Sequence, residues 1–381
     1  MHVLVAPNAF KNSLSAKDAA RAIAAGIKKS LLDCSVCCFP IADGGDGTGP
    51  LITERLKGFE VCCRVHDALG REVEAAFGLI DRGKTAVIEM AAASGLRLLD
   101  PGELSPLQAN SFGTGELIRE ALGYGVTKII IAMGGSATID GGAGMLRAVG
   151  VRFLDSRGKD LQILPRDLVH LQRIDTTEMD ERLHSCQVVV LCDVENLLLG
   201  KEGAANTFGP QKGAGEQEII QLEEGLQRFS DAVMECTGKD LLMVKRGGVA
   251  GGAAAGLYAL LNAELVSGID YFLDITGFEE YLSRADLIIT GEGSLDSQTL
   301  RGKAPLGVAL RAKKGGVVVV GLAGKINFGD QEAPGRYFDV LFSIGNGEGN
   351  LEDALRHTES NLQRTAYQIG NLLGFSNYHY R

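Results

Sequence analysis

A series of glycine-rich stretches in this sequence each carry a carboxylate, a hydroxyl or a lysine, the groups from which phosphate chemistry is assembled. "ADGGDGT" offers Asp43 and Asp46, and "GGSATIDGG" offers Gly134, Gly135, Ser136, Thr138 and Asp140 directly after an apolar, strand-like run. "CDVEN" sets Asp193 at a strand end, "FGPQKGA" adds Gln211 and Lys212, and "GEGSLDSQTLRGK" holds Glu292, Asp296, Thr299 and Lys303. "NAFKNSLS" places Lys11, Ser13 and Ser15 at the start of the first helix. Phosphoryl transfer asks for such a set: cationic donors and amides neutralise the moving group, and carboxylates hold a magnesium ion and take the acceptor's proton. Each loop alone has a plainer reading. An Asp-Gly pair is usually a turn, and Lys212 or Lys303 alone reads as a solvated charge. None of the six histidines stands in a ligand or triad pattern, and the dinucleotide fingerprint G-x-G-x-x-G does not occur.

One stretch, "GLIDRGKT" from Gly78 to Thr85, matches the phosphate-loop pattern G-x-x-x-x-G-K-S/T letter for letter. That pattern needs a preceding buried strand and a helix opening at its end. Here "REVEAAFGLI" alternates like a strand, "DRGK" is turn chemistry, and "TAVIEM" continues with strand formers. The flanks therefore predict a hairpin turn, with Gly83 supplying a positive φ and Lys84 solvated.

The elements that must position these loops follow from periodicity. "HVLVA", a helical run "SLSAKDAARAIAAGIKKSL" capped by Ser15 and Asp18, and "CSVCCFPI" open the chain as β-α-β. Further continuous apolar strands, "VTKIIIAM", "CQVVVLCDV", "ADLIITGEG", "GGVVVVGLAG" and "DVLFSIG", alternate with helices "GTGELIREALGYG", "GEQEIIQLEEGLQRFSDAVMEC" and "KAPLGVALRAKK". This predicts parallel sheets with glycine-rich turns at their carboxyl ends, where open α/β sheets bind ligands. The opening β-α-β and the closing "ADLIITGEG" and "GGVVVVGLAG" units share one pattern that the hairpin region interrupts, so residues 1–62 plus 286–381 are expected to form one discontinuous domain and 63–285 a second. The stripe Leu351, Leu355, Leu362, Ile369 and Leu373 is expected to pack the C-terminal helix into the core. Fifty-one glycines among 381 residues are roughly twice the usual share. They cluster in the loops rather than forming linkers. The net charge of −10 argues against a nucleic-acid partner. The eight cysteines are expected as reduced thiols, mostly buried in apolar runs. The short apolar N-terminal run suggests no signal peptide or membrane span, and with it a cytoplasmic address.

The order of the loops resembles the class I glycerate kinases, through "VLVAPNAFKNSLSA", "IADGGDGT", "IEMAAASGL", "GTGELI", "GGSATIDGGAGML", "CDVEN", "FGPQKGA" and "GEGSLDSQTLRGKAPLGVA". The resemblance implies two unlike α/β domains, the first Rossmann-like and the second with a mixed sheet, and a site in the cleft between them. It also implies ATP- and Mg2+-dependent phosphorylation of D-glycerate, with 2-phosphoglycerate the favoured product and a homo-oligomer left open. In that reading Gly134, Gly135, Ser136, Thr138 and Lys212 hold the ATP phosphates, and Asp43, Glu292 and Asp296 serve the metal. Asp193 is the base, while Lys11 and Ser13 grip the substrate, Lys11 also acting in catalysis. The chain departs from the family's pattern at Asn8 (usually Asp), Ala9, Asn12, Ala109, Ile139 and the position after Asn196. A kinase of another small hydroxy acid, or a non-catalytic nucleotide-binding regulator, stays open at this stage.

Overall fold

The computed structural model describes residues 1–297, 299, 302–328, 334–345 and 350–378. Gln298, Leu300 and Arg301 of the "GEGSLDSQTLRGK" motif, and His379, lie outside the described residues. The chain divides into two compact units, Met1–Asp43 with Ile269–Arg381, and Gly44–Gly268.

The first unit opens with β1 (His2–Pro7), α1 (Ala16–Lys29) and β2 (Ser35–Cys38). Ser15 caps α1 by accepting from the Asp18 amide at 3.1 Å. The second unit contains α2 (Thr48–Arg55), β3 (Phe59–His66), β4 (Glu72–Ile80), β5 (Thr85–Glu89), α3 (Met90–Ser94) and α4 (Phe112–Gly123). It continues with β6 (Lys128–Ala132), α5 (Ala143–Ala148), β7 (Arg152–Leu154), β8 (Arg173–Asp175) and β9 (Gln187–Cys192). Then come α6 (Ala204–Phe208), α7 (Glu216–Thr237), α8 (Ala253–Leu260) and β10 (Glu264–Ser267). The chain returns to the first unit through α9 (Gly268–Ile275), α10 (Phe278–Leu282), β11 (Leu287–Asp296), α11 (Ala304–Lys314), β12 (Val318–Asn327), β13 (Val340–Ser343), α12 (Leu351–Arg356) and α13 (Thr358–Tyr378).

In the first unit five strands run in the order β13-β12-β11-β1-β2, every neighbouring pair parallel. Val3 and Val5 of β1 and Leu322 of β12 bury fully or nearly so against Ile23 and Ile27 of α1. Continuous apolar strands of this kind belong to a sheet covered on both faces. The order reverses between β1 and β11, the position at which doubly wound sheets open a crevice. In the second unit the order is β10-β9-β6-β5-β4-β3, parallel from β10 to β5 and antiparallel from β5 to β3. The fold is therefore the α/β pairing of a parallel sheet and a mixed sheet that the patterns predict. No helix among the described residues is long and apolar enough to cross a membrane.

Three expectations need correction. "GEGSLD" is no loop: it prolongs β11, pairing with β12 as far as Asp296↔Asn327, because its glycines are tolerated where strands approach closely. The C-terminal stripe is split between α12 and α13. Leu362 and Ile369 are buried and Leu373 packs beside them, but Leu351 is 75% exposed. Of the cysteines, only Cys186 and Cys192 are buried, whereas Cys38, Cys62 and Cys236 are exposed and the other three are intermediate. Cys37 and Cys38 stand on β2 and Cys62 and Cys63 on β3, the outermost strands of their sheets, while Cys236 stands on α7.

The hairpin reading of "GLIDRGKT" holds. Gly78 pairs with Val87 and Ile80 with Thr85 across an antiparallel turn in which Asp81, Arg82 and Gly83 all take positive φ. Lys84 is exposed. Lys84→Met should change stability by at most ~0.5 kcal/mol, as for other surface sites. Gly83→Val, forced to φ 80°, should cost about 1–2 kcal/mol. Thermal melts of the two variants side by side check the difference.

Candidate active site

Within the second unit, β6 ends at Ala132 and delivers the chain into "MGGSATIDGG". Neighbouring glycine-rich and small-residue motifs fix this loop by backbone bonds. The Gly134 amide donates to Gly44 O at 2.8 Å, Leu96 N donates to Gly135 O at 2.9 Å, and Ala137 N donates to Ser94 O at 2.8 Å. Gly135 has φ 73°, and a Cβ there would meet the Asp46 carboxylate at 2.5 Å, so only glycine fits. Gly251 packs on the far end of the loop, where a Cβ would meet Thr138 O at 2.1 Å. The amides of Gly135 and Ser136 are not among the loop's internal donors, whereas that of Gly134 already has its acceptor.

Lys212, on a short turn at Pro210–Lys212, is buried, not solvated as its lone reading suggested. Its Nζ donates to Ser136 Oγ at 2.9 Å and to Thr138 O at 2.7 Å. Burial pushes its pKa down to about 7, opposed by the carboxylates of Asp140 and Asp193. Thr138 is fully buried, and its Oγ1 has no hydrogen-bond partner among the described residues. Asp140, also fully buried, accepts from Ser111 N (2.8 Å), Ser111 Oγ (2.7 Å), Gly142 N (3.0 Å) and Gly144 N (3.0 Å). It ties the loop to the starts of α4 and α5. Asp193 follows β9 and is half-buried. Thus Ser136, Thr138, Lys212 and Asp193 are gathered in one place.

Within the first unit a second group forms where β1 and β11 end. The Asn8 amide donates to Gly291 O at 2.8 Å, and Asn8 Nδ2 reaches Asp43 Oδ2 at 3.3 Å. Asp43 also accepts from the Ala304 amide at the start of α11, at 3.3 Å. Glu292 is buried and accepts from Thr299 Oγ1 at 2.9 Å. Desolvation lifts its pKa to about 7, with Asp43 and Asp296 adding to the rise and Lys303 opposing it. Asp296 accepts from Ser294 Oγ and the Thr299 amide, each at 3.3 Å. No group of three metal-binding side chains stands assembled among the described residues. Lys11 is exposed, its backbone close to Gly293. Ser13 Oγ is turned to Leu355 O at 2.6 Å, which occupies its proton.

Sequence reasoning missed one buried acid, Glu89, and the partner of another, Asp140. Ser111 is the chief donor to Asp140. Glu89, at the end of β5, accepts from the Gly49 amide at 2.8 Å, and burial raises its pKa to about 7. Glu89 lines a cavity of about 300 Å³ with Glu74 and Arg97. A carboxylate closing an otherwise apolar strand was the available signal.

The family model of the glycerate kinase family matches residues 3–374. The glycerate kinase of Bacillus subtilis (strain 168) is 42% identical over 369 residues, covering 97% of each chain. The glycerate 2-kinase of Escherichia coli (strain K12) is 41% identical over 373 residues, covering 98% of each. A crystal structure from Salmonella typhimurium LT2, assigned to glycerate kinase 2, superposes with a TM-score of 0.83 at 42% identity and covers 99% of each chain.

The buried ammonium sets a pH signature. Between about pH 7 and the unfolded lysine's 10.4, the unfolded chain binds a proton at Lys212 that the folded chain does not. Folding stability therefore rises with pH through that window. Below pH 7 the penalty is present in full. In Lys212→Met this rise should be absent, so the stability of wild type relative to the variant should climb from pH 7 to pH 10 in denaturant titrations.

Proposed function

The chain belongs to the glycerate kinase family, and from that premise we propose that it transfers the γ-phosphoryl group of ATP to D-glycerate, giving 2-phosphoglycerate. The observation that carries the reading is Lys212, a lysine buried against Ser136 Oγ and Thr138 O beside a strand-end carboxylate. A buried lysine next to loop amides that have no backbone acceptor among the described residues is costly to keep without an anionic ligand, and phosphate oxygens are the ligand it suits.

In this reading the Gly135 and Ser136 amides, the Thr138 hydroxyl and Lys212 bind the nucleotide phosphates. Asp193 accepts the glycerate hydroxyl proton as that oxygen bonds to the γ-phosphorus. The bond from phosphorus to the β–γ bridging oxygen breaks, and ADP leaves with its electron pair. Lys11 draws the glycerate carboxylate. Ser13 serves there only as an acceptor, since its proton is already given to Leu355 O. Gly134 shapes the loop rather than binding phosphate, because its amide is bonded to Gly44 O.

Asp43, Glu292 and Asp296 suit a magnesium ion. Glu292 is a buried carboxylate crowded by two like charges, and such an ion takes one or two carboxylates plus phosphates and water. The bound ion would supply charge neutralisation on the phosphates. Phosphorus NMR of the product from D-glycerate and Mg-ATP tests the reading, and a 3-phosphate or no turnover refutes it.

Asp193→Asn should lower turnover by about a hundredfold or more while leaving ATP affinity within a few-fold, as for a general base. Steady-state kinetics with a nucleotide-binding titration separate the two. Unchanged turnover moves the base elsewhere, with Asp43 next.

A further inference from the structure

Strand β3 is the outer strand of the six-stranded sheet, and it is long for an edge. Its eight residues keep unbroken register with β4, from Phe59↔Leu79 to His66↔Glu72. Edges are usually shortened, bulged, interrupted by proline or covered, because their unpaired main-chain groups invite another strand. β3 has neither proline nor bulge.

The parity of its hydrogen bonds is fixed. At the hairpin end Asp67 N donates to Arg71 O, so odd-numbered residues turn their N–H and C=O toward β4 and even-numbered ones turn outward. His66 agrees. Its amide donates to Glu116 Oε2 of α4 at 2.8 Å, and its carbonyl lies against Gly113, so α4 covers that end of the edge. The main-chain groups of Glu60, Cys62 and Arg64 point outward in the same way, and all three residues are exposed.

We infer that β3 pairs antiparallel with β3 of a second copy of this chain, about a two-fold axis at Cys62. That register sets Glu60 opposite Arg64 of the second copy, Cys62 opposite Cys62, and Arg64 opposite Glu60. Each pair joins two outward-facing residues and so exchanges both N–H···O bonds. The three side chains share one face, which makes each Glu–Arg pair a direct cross-strand neighbour. Moving the axis by one residue sets either charge opposite Cys62 and loses both matches. The charges that would blunt an edge against foreign strands thus select this strand's own copy, the isologous logic of two-fold interfaces.

The test is sedimentation velocity on the full chain over a concentration series, with melting curves to verify folding. Wild type should show a monomer–dimer equilibrium. Arg64→Glu and Glu60→Arg, each setting like charges opposite, should weaken it by roughly tenfold or more. The double variant Glu60→Arg/Arg64→Glu should restore it. Cys62→Pro removes an outward-facing amide at an edge position that tolerates proline, and it should be monomeric with a nearly unchanged melting point. The inference is overturned by a wild type monomeric at every concentration, by an oligomer indifferent to Arg64→Glu and Cys62→Pro, or by failure of the double swap to restore the dimer.

Discussion

Taking a lysine ammonium out of water is costly, and the structure around Lys212 meets part of that cost. Nζ of Lys212 needs acceptors, and the loop after β6 supplies the Ser136 hydroxyl and the Thr138 carbonyl. The Thr138 carbonyl lies beyond the end of β6 at Ala132, in a loop that turns at Gly135 with φ 73°. The loop must then be held in its new path. Gly44, Ser94 and Leu96 bond to one stretch of it, and Asp140 ties the other to Ser111, Gly142 and Gly144. The glycine clusters of the sequence are thus mostly the contact points of one construction, in which backbones approach too closely for side chains.

The first unit faces the opposite problem. Glu292 is buried among Asp43 and Asp296, and a charged carboxylate there is opposed by desolvation and by both neighbours. Thr299 Oγ1 and the Lys303 charge offset only part of this. Keeping an acid in such surroundings costs stability. The buried lysine of the second unit faces the carboxylates of Asp140 and Asp193, whereas the buried glutamate of the first unit faces one lysine and two further acids.

The sheets were legible because they rest on local pattern. Apolar runs such as "KIIIA" and "QVVVLC" can only be covered strands, and the turn residues of "DRGK" outweighed a motif that matched by letters alone. What stayed hidden depends on tertiary distance. Nothing near Lys212 in sequence signals burial, since its partners are 76 and 74 residues away. Ser13 looked like a ligand-binding hydroxyl because its acceptor, Leu355 O, belongs to a helix 342 residues on. Exposure of Cys62 likewise follows from β3 lying at the sheet's edge, a property of strand order rather than composition.

Three of the departures from the family's pattern can now be weighed by position. Ile139 is fully buried within the second unit's core, and Ala109 is buried against Ala68, Leu99 and Ala137. Side chains in those places are apolar and act through packing. Asn8 differs. It sits at the carboxyl end of β1, bonded through its amide to Gly291 and through Nδ2 to Asp43. An aspartate there would set a third or fourth carboxylate beside Asp43 and Glu292, whereas asparagine gives Asp43 a donor instead. The substitution lowers the negative charge around Asp43 and Glu292. Among these three, Asn8 is therefore the departure that sits among charged groups, and its effect falls on Asp43.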